Sequence, residues 1–477
     1  MQLDPDRCYR AARSHDARFD GRFFVGVAST GIYCRPVCSG KPPKRENCTF
    51  YRSAAAAEAA GFRPCLRCRP ELAPGHSSVE AAARIAHQAA SLIEDTVGEG
   101  AGIDAIAVRL GVSDRHLRRV FQEEFGVAPV AFAQTQRLLL AKRLLTDTRL
   151  SVTDVAMASG FGSVRRFNAL FRERYRLQPT DLRRTGSARS PVDHFVFELA
   201  YRPPLDWDAL LGFLAARCIA RVDEVIDGRY RRTVRLNANG VAHVGWVVAS
   251  PVVRKRTIRL EVAPSLVHVL PSLLARTKRA FDLGCDPAQV AAALGPLAAN
   301  NPGLRLPGAF DPFELAVRAV LGQQVTVRSA RTLASRFVEA FGEAVITPFA
   351  SLDRTFPSPE RVAELAPGAI AELGVIATRA RTILALAAGL VDGTCALDTV
   401  GDIDATITNL KSMPGIGDWT AQYIAMRALG WPDAFPHTDY GVMKAMGESN
   451  PRRVLEIADA WRPWRAYAVM HLWRSLA

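Results

Sequence analysis

Three groups of residues in this 477-residue chain have side chains and spacings suited to chemistry. The first is a set of cysteines. Cys34-Arg-Pro-Val-Cys38 and Cys65-Leu-Arg-Cys68 are two short knuckles separated by 26 residues. Each knuckle brings two sulfurs to one point, and two knuckles complete a tetrahedral four-sulfur shell for one Zn²⁺. Five of the nine cysteines lie between Cys34 and Cys68, in a chain whose N-terminus lacks a secretory layout, which favours metal over disulfides. By itself such a site reads as a structural staple. The second group is KSMPGIGDWTAQY (411–423), a helix, a Pro-Gly-Ile-Gly turn and another helix. Its glycines permit a tight turn, and the exposed backbone of Pro414, Gly415, Ile416 and Gly417 can grip a DNA phosphate, with a monovalent cation beneath it. The third is AFPHTDY (434–440), a Pro-bearing loop ending in Asp439. Blind to context, that carboxylate is an N-cap.

The elements that must position these groups fall into zones. Residues 1–75 are rich in Gly, Pro and Arg, 78–185 read as nearly continuous helix, and 186–193 form a small, polar linker. Residues 194–265 mix short β-type runs (HFVFELAY, RRTVRL, GWVVAS, TIRLEV) with one helix near 207–220, and 266–477 return to helices broken by Gly/Pro turns. The fold class expected is therefore multidomain, mainly α with α+β parts. The net charge of +14 suits a polyanionic partner. Residues 1–190 hold 30 basic and 19 acidic side chains, so +11 of that excess sits in front. No apolar run is long enough to span a membrane, and the cytoplasm is the expected location.

The strings GIYCRPVCSGKPPKRENCTFY and AAGFRPCLRC make residues 5–72 closely similar to the metal-binding domain of Ada-type adaptive-response proteins. The resemblance implies that Cys34 is both a zinc ligand and the acceptor of a methyl group from a DNA methylphosphotriester, with Cys38, Cys65 and Cys68 as the other ligands. Arg35, Arg45 and Arg67, with Lys44, would hold the phosphate. Methylating one of four thiolates removes a negative charge beside the DNA, so repair would also tighten binding. Cys48 lies outside both knuckles and reads as a packing residue.

IDAIAVRLGVSDRHLRRVFQEEFGVAP (103–129) and SVTDVAMASGFGSVRRFNALFRERYRLQPTDLRR (151–184) each read as helix, Gly turn (Gly111, Gly160) and Ser-capped second helix (Ser113, Ser163). A recognition helix offers its first turns to the major groove, which nominates Arg115, His116 and Arg119, then Arg165, Arg166 and Asn168. Leu138, Leu139, Leu140, Leu144 and Leu145 on the connecting helix are expected core. The pair resembles the double helix-turn-helix of AraC-type regulators.

The hairpin followed by a Pro loop and Asp439 is similar to helix–hairpin–helix glycosylases. PPLDWDALLGFLAARCIA, NPGLRLPGAFDPFELAVRAVLGQQV and WRPWRAYAVMHLW extend the likeness to AlkA-type 3-methyladenine glycosylases over about 195–474. That resemblance implies an α/β N-terminal subdomain (194–300) and an all-α helix–hairpin–helix domain (301–477). It also implies a base pocket of Phe213, Trp419, Tyr423, Tyr440 and Trp473, with Asp439 stabilising an oxocarbenium-like sugar or orienting water. An electron-poor alkylated purine would be drawn to those aromatic faces. Two departures stand out. Trp419 occupies the place where strand-nicking relatives carry Lys, so a monofunctional, hydrolytic enzyme is expected. Gln324 replaces the apolar wedge that fills the vacated stack.

The leading expectation is a monofunctional DNA-3-methyladenine glycosylase fused to a stoichiometric methyl acceptor and a transcriptional regulator. It would act on damaged double-stranded DNA and a promoter operator, touch RNA polymerase, and work as a monomer. The competing expectation is an alkylation-responsive transcription factor with a non-catalytic C-terminal half.

Overall fold

The computed structural model describes residues 3–75, 85–96, 102–184, 194–238, 240–397 and 403–476. The linker expected at 186–193 and the domain start expected at 78 lie outside the described residues. The chain forms two compact units. One comprises Met1–Pro203, Leu236–His243 and Val252–Ala275; the other comprises Pro204–Arg235, Val244–Pro251 and Arg276–Ala477.

The first unit opens with α1 (Pro5–Arg13), started by Asp4, whose side chain accepts from the Asp6 and Arg7 amides. A four-stranded sheet follows, made of β1 (Phe24–Val27), β2 (Ile32–Cys34), β3 (Cys48–Tyr51) and β4 (Arg63–Pro64) in the order β3-β1-β2-β4. All of β1 is buried because both faces of the sheet are covered. Val25 and Val27 pack with Cys8, Ala11, Phe23 and Cys48, so Cys48 is the packing residue expected. Phe24 points the other way, into Tyr33, Ala54, Ala57 of α2 (Ala54–Ala59) and Leu139.

Leu139 belongs to the helical region, which comprises α3 (Ile85–Asp95), α4 (Ile103–Arg109), α5 (Asp114–Phe125), α6 (Pro129–Asp147), α7 (Val152–Ala158), α8 (Val164–Tyr175) and α9 (Asp181–Arg184). The internal repeat is physical. Leu117, Phe121 and Phe125 make the buried stripe of α5, and Phe167, Phe171 and Tyr175, each fifty residues later, make that of α8. Ser113 and Ser163 cap these helices by accepting from the His116 and Arg166 amides, while Gly111 and Gly160 take the positive φ of the preceding turns. Of the five connecting leucines, only Leu140 is not fully buried.

Glu58, wholly buried in α2, accepts from the Tyr33 hydroxyl at 3.0 Å and from Thr135 Oγ1 of α6 at 2.9 Å. Burial pushes its carboxyl up from 4.5 to about 7, against those two hydrogen bonds. The protonated form therefore favours folding. The contribution is complete below about 4.5, fades as the pH climbs, and is gone above about 7. Glu58→Gln is expected to remove a stability loss on the order of 3 kcal/mol between about pH 5 and about pH 8. Urea unfolding at the two pH values checks this: an unchanged pH slope in the variant would refute it.

Five more strands follow: β5 (Phe195–Ala200), β6 (Asp223–Ile226), β7 (Arg229–Ala238), β8 (Val241–Val252) and β9 (Thr257–Val262). In the first unit β5 pairs antiparallel with β9, Phe195 opposite Val262. In the second, β6 pairs antiparallel with β7. The sequence runs located all but β6, a four-residue strand whose acidic start masks its pattern, and the helix expected at 207–220 is shorter, α10 (Trp207–Ala215).

The helices that matter for the second unit's site are α11 (Pro312–Leu321), α12 (Val327–Phe341), α13 (Ala377–Val391), α14 (Ile403–Ser412), α15 (Asp418–Arg427), α16 (Tyr440–Met446) and α17 (Arg465–Arg474). Mainly helical with small sheets, the molecule has the fold class expected. Among the described residues no helix is long and apolar enough to cross a membrane.

Candidate active site and metal centre

The second unit carries a cleft of about 380 Å³ lined by Trp419, Tyr423, Asp439, Tyr440 and Trp473, with Arg217, Arg318 and Arg331 and the start of α12. Asp439 is the N-cap of α16: its Oδ1 accepts from the Val442 amide at 3.0 Å and from Trp473 Nε1 at 2.8 Å. Its Oδ2 accepts from Trp419 Nε1 at 2.9 Å. Three donors from three helices thus fix the carboxylate on the cleft wall. The capping reading and the site reading describe the same side chain.

The aromatic set assembles, but not as one wall. Trp419 stacks on Tyr423 (centroids 5.3 Å, 16°), and Tyr423 leans on Trp473 (6.2 Å, 44°). Phe213 stands a layer back, stacked on Trp473 at 6.2 Å and 16°. Tyr440 lines the mouth and is 79% exposed. Sequence reasoning missed the arginines. Arg217 lies 3.7 Å and Arg427 4.6 Å from the Phe213 ring centre, so the protein's own guanidiniums engage that ring. Arg427 also donates to the Tyr423 hydroxyl at 3.1 Å. Burial alone would push the Tyr423 phenol up, yet Arg427, Arg217 and Arg318 hold it below its ordinary value. Burial brings Arg427 down to about 10 and lowers Arg217 as well, against the pull of Tyr423. FLAAR (213–217) places Arg217 one helical turn from Phe213, a spacing that was visible without its meaning.

The hairpin connects α14 to α15. Pro414, Gly415 and Gly417 are exposed and Ile416 is buried, so the turn is anchored by one side chain and offers its backbone outward. Gln323 ties the loop after α11 to this turn, donating to Gly415 O at 2.8 Å and Thr420 Oγ1 at 3.0 Å. The next residue, Gln324, is exposed at the tip with φ +54°, a left-handed conformation uncommon outside glycine. Gly415 is required twice over. Its φ is +88°, and a Cβ there would sit 2.1 Å from Thr382 Oγ1, which itself donates to Pro414 O at 2.9 Å. Gly415→Ala is expected to cost about 1–3 kcal/mol and weaken DNA binding about tenfold or more. Gly417→Ala (φ −85°, open space) should be tolerated. Thermal unfolding and gel-shift titration of the two variants check the contrast.

In the first unit the Sγ atoms of Cys34, Cys38, Cys65 and Cys68 lie within 4.8 Å of one another. Sulfurs about 2.3 Å from a tetrahedral Zn²⁺ stand about 3.8 Å apart, so the cluster fits that ion with little adjustment. Cys34 ends β2, and the Arg35 amide donates to Cys68 Sγ at 3.3 Å. Arg35 does not face outward: it is buried, paired with Asp20, and donates to Cys68 O at 3.1 Å. Arg67 and Lys44 are exposed, while Arg45 is partly engaged by Asp6 at 3.2 Å. On the recognition helices Arg115, Arg119, Arg165 and Arg166 are exposed; Arg119 pairs with Glu123 at 3.1 Å and His116 is half-buried beside it. Asn168 is turned partly inward, its Oδ1 closed to solvent and, among the described residues, unpaired.

A sulfur cluster, a double helix-turn-helix and a hairpin glycosylase cleft in one chain define a multifunctional DNA-repair protein. Family models agree: the metal binding domain of Ada matches 7–71, a helix-turn-helix domain 106–185, the AlkA N-terminal domain 196–311, and the HhH-GPD superfamily of base excision DNA repair proteins 317–452. The "probable bifunctional transcriptional activator/DNA repair enzyme AlkA" of Mycobacterium tuberculosis is 40% identical over 100% of this chain and 97% of its own length. The chain belongs to that bifunctional Ada–AlkA family. The "DNA-3-methyladenine glycosylase 2" of Escherichia coli is 37% identical over 58% of this chain and 96% of its own length. A solved 3-methyladenine DNA-glycosylase from Archaeoglobus fulgidus shares the fold of 58% of this chain and 97% of its own length, at TM-score 0.50 and 22% identity.

Proposed function

We propose that the chain repairs alkylated DNA by two chemically separate routes and regulates its own response. The C-terminal half is a monofunctional DNA-3-methyladenine glycosylase. The observation that carries this reading is the Asp439 carboxylate, clamped by two indole N–H groups on the wall of an aromatic cleft. A base turned out of the duplex enters that cleft, with Gln324 occupying the gap it leaves and the 414–417 turn holding the backbone, helped by a monovalent cation. The C1′–N bond breaks with its electron pair leaving on the base. Asp439 stabilises the positive sugar, and water forms the new C1′–O bond, its proton ending on the departing base or in solvent. Among the described residues no lysine lines the cleft, which supports hydrolysis over a Schiff base. The intact clamp speaks against an inert C-terminal half.

At the other end, Cys34 Sγ takes a methyl from a methylphosphotriester: the S–CH₃ bond forms, the CH₃–O bond breaks, and the phosphodiester leaves as an anion. A Zn²⁺ held by Cys34, Cys38, Cys65 and Cys68 would keep the sulfur deprotonated near neutral pH. Arg67 and Arg45 are the outward phosphate contacts, with Arg35 bracing the knuckle. We further read 1–75, 78–185, 194–300 and 301–477 as the working domains, the first turns of α5 and α8 as the operator readers, RNA polymerase as a partner, the cytoplasm as the site of action, and the monomer as the active form. The test is a duplex with one 3-methyladenine. Base release that leaves an alkali-labile abasic site supports the assignment; strand cleavage without alkali, or no release, overturns it.

A further inference from the structure

Resting on the reading of Cys34 as methyl acceptor, we infer that the metal module and the double helix-turn-helix are strapped into one rigid DNA reader, with Lys142 and Thr135 of α6 as the coupling residues. The strap begins at the metal ligands. Arg35, next to Cys34, holds Cys68 by its amide and its guanidinium. Arg69, next to Cys68, stands in the left-handed conformation at φ +52°, which pins the knuckle's exit. Its guanidinium forks between Glu71 at 3.0 Å and Asp147 at 2.8 Å, at the end of α6.

Glu71 then meets Lys142 with both oxygens at 2.7 Å, the side chains 2% and 1% exposed. A pair this deep is unusual among lysines, which are almost never fully buried. A second link starts at Tyr33, on the other side of Cys34, and runs through Glu58 to Thr135. A third reaches the first recognition helix itself: Ser53 donates to Phe125 O at 2.9 Å, and Arg52 to Glu123 O and Glu124 O at 3.2 and 3.3 Å. Leu139 fills the apolar gap between them.

Buried ion pairs contribute little net stability compared with apolar residues of the same size; what they supply is a fixed register. Here the register is that of the Cys34 sulfur relative to α6 and the first recognition helix, α5. A rigid joint makes the second DNA contact intramolecular at high effective concentration. Charge removal at Cys34 then tightens the grip of both recognition helices together. Were charge alone responsible, the gain would survive loosening of the joint.

The experiment uses the full zinc-loaded chain and the duplex immediately upstream of its own coding sequence, with a scrambled duplex as reference. Binding is measured before and after methylation of Cys34 by a methylphosphotriester oligonucleotide. In the parent chain the upstream duplex is expected to gain about tenfold in affinity. The double variant Glu71→Met/Lys142→Met, which replaces the pair by apolar residues, should keep one zinc and one methyl per chain yet lose most of that gain. Thr135→Val, which leaves the ion pair alone, should lose part of it. A full gain in either folded variant overturns the coupling. Failure of the parent chain to take up methyl refutes the acceptor reading instead, so the two failures are distinct.

Discussion

Asp439→Asn is expected to lower release of 3-methyladenine by about a hundred- to ten-thousandfold while DNA binding stays within about threefold of the parent. Asn is as good an N-cap as Asp, so α16 should still start at Tyr440 and the Val442 amide should keep its acceptor. The loss arises at the indoles. The carboxylate now accepts from both Trp419 and Trp473, whereas a carboxamide has one oxygen. One indole N–H must then face an NH₂ group, donor against donor, which costs about 1–3 kcal/mol where both are partly buried. The negative charge that would stabilise the sugar cation disappears as well. Single-turnover release, measured beside gel-shift affinity, separates these terms. Release at the parental rate would remove Asp439 from the chemistry.

Cys34→Ser is expected to abolish methyl uptake from a methylphosphotriester, with glycosylase activity unchanged. Serine is not ionised near neutral pH and is a poor ligand for a thiophilic ion. Zinc affinity should therefore fall by more than about a hundredfold, beyond what loss of an outer-shell partner costs. Cys48→Ala is the matched control, since Cys48 is buried in the same module and its thiol makes a weak bond to Lys44 O. Labelled methyl counted per chain gives the readout: one for the parent and for Cys48→Ala, none for Cys34→Ser. A Cys34→Ser chain that still took up one methyl would move the acceptor elsewhere.

Much of this molecule was legible because its signals are local. Each knuckle brings two sulfurs together by loop length, and the pairing of β2 with β4 sets the two knuckles side by side. The fifty-residue echo reports two equal helix pairs, and Gly415 announces a turn that its φ and Thr382 demand. What the sequence hid are contacts between distant positions. Trp419 and Trp473 were expected as base-stacking rings, but their N–H groups on Asp439 depend on how three helices converge. Arg35 looked like a phosphate ligand because arginines flank the cysteines; its burial follows from Asp20, fifteen positions earlier on an irregular turn. Arg217 and Arg427, 210 positions apart in the chain, meet on Phe213, and no short-range pattern encodes that. The buried Lys142 was hidden for the same reason: on a helix read as a connector, a lysine is ordinarily solvent-facing.

The indole clamp also has a kinetic meaning. On the proposed function, the rings that would press against an extruded base are the rings that hold the carboxylate, so recognition and bond cleavage would share one mechanical part. A ligand that tilted Trp473 would pull on Asp439 through the Nε1 bond. Substitutions at either tryptophan should therefore shift kcat and KM together instead of separating them, and a misfitting base would be rejected by a misdirected carboxylate as much as by poor stacking.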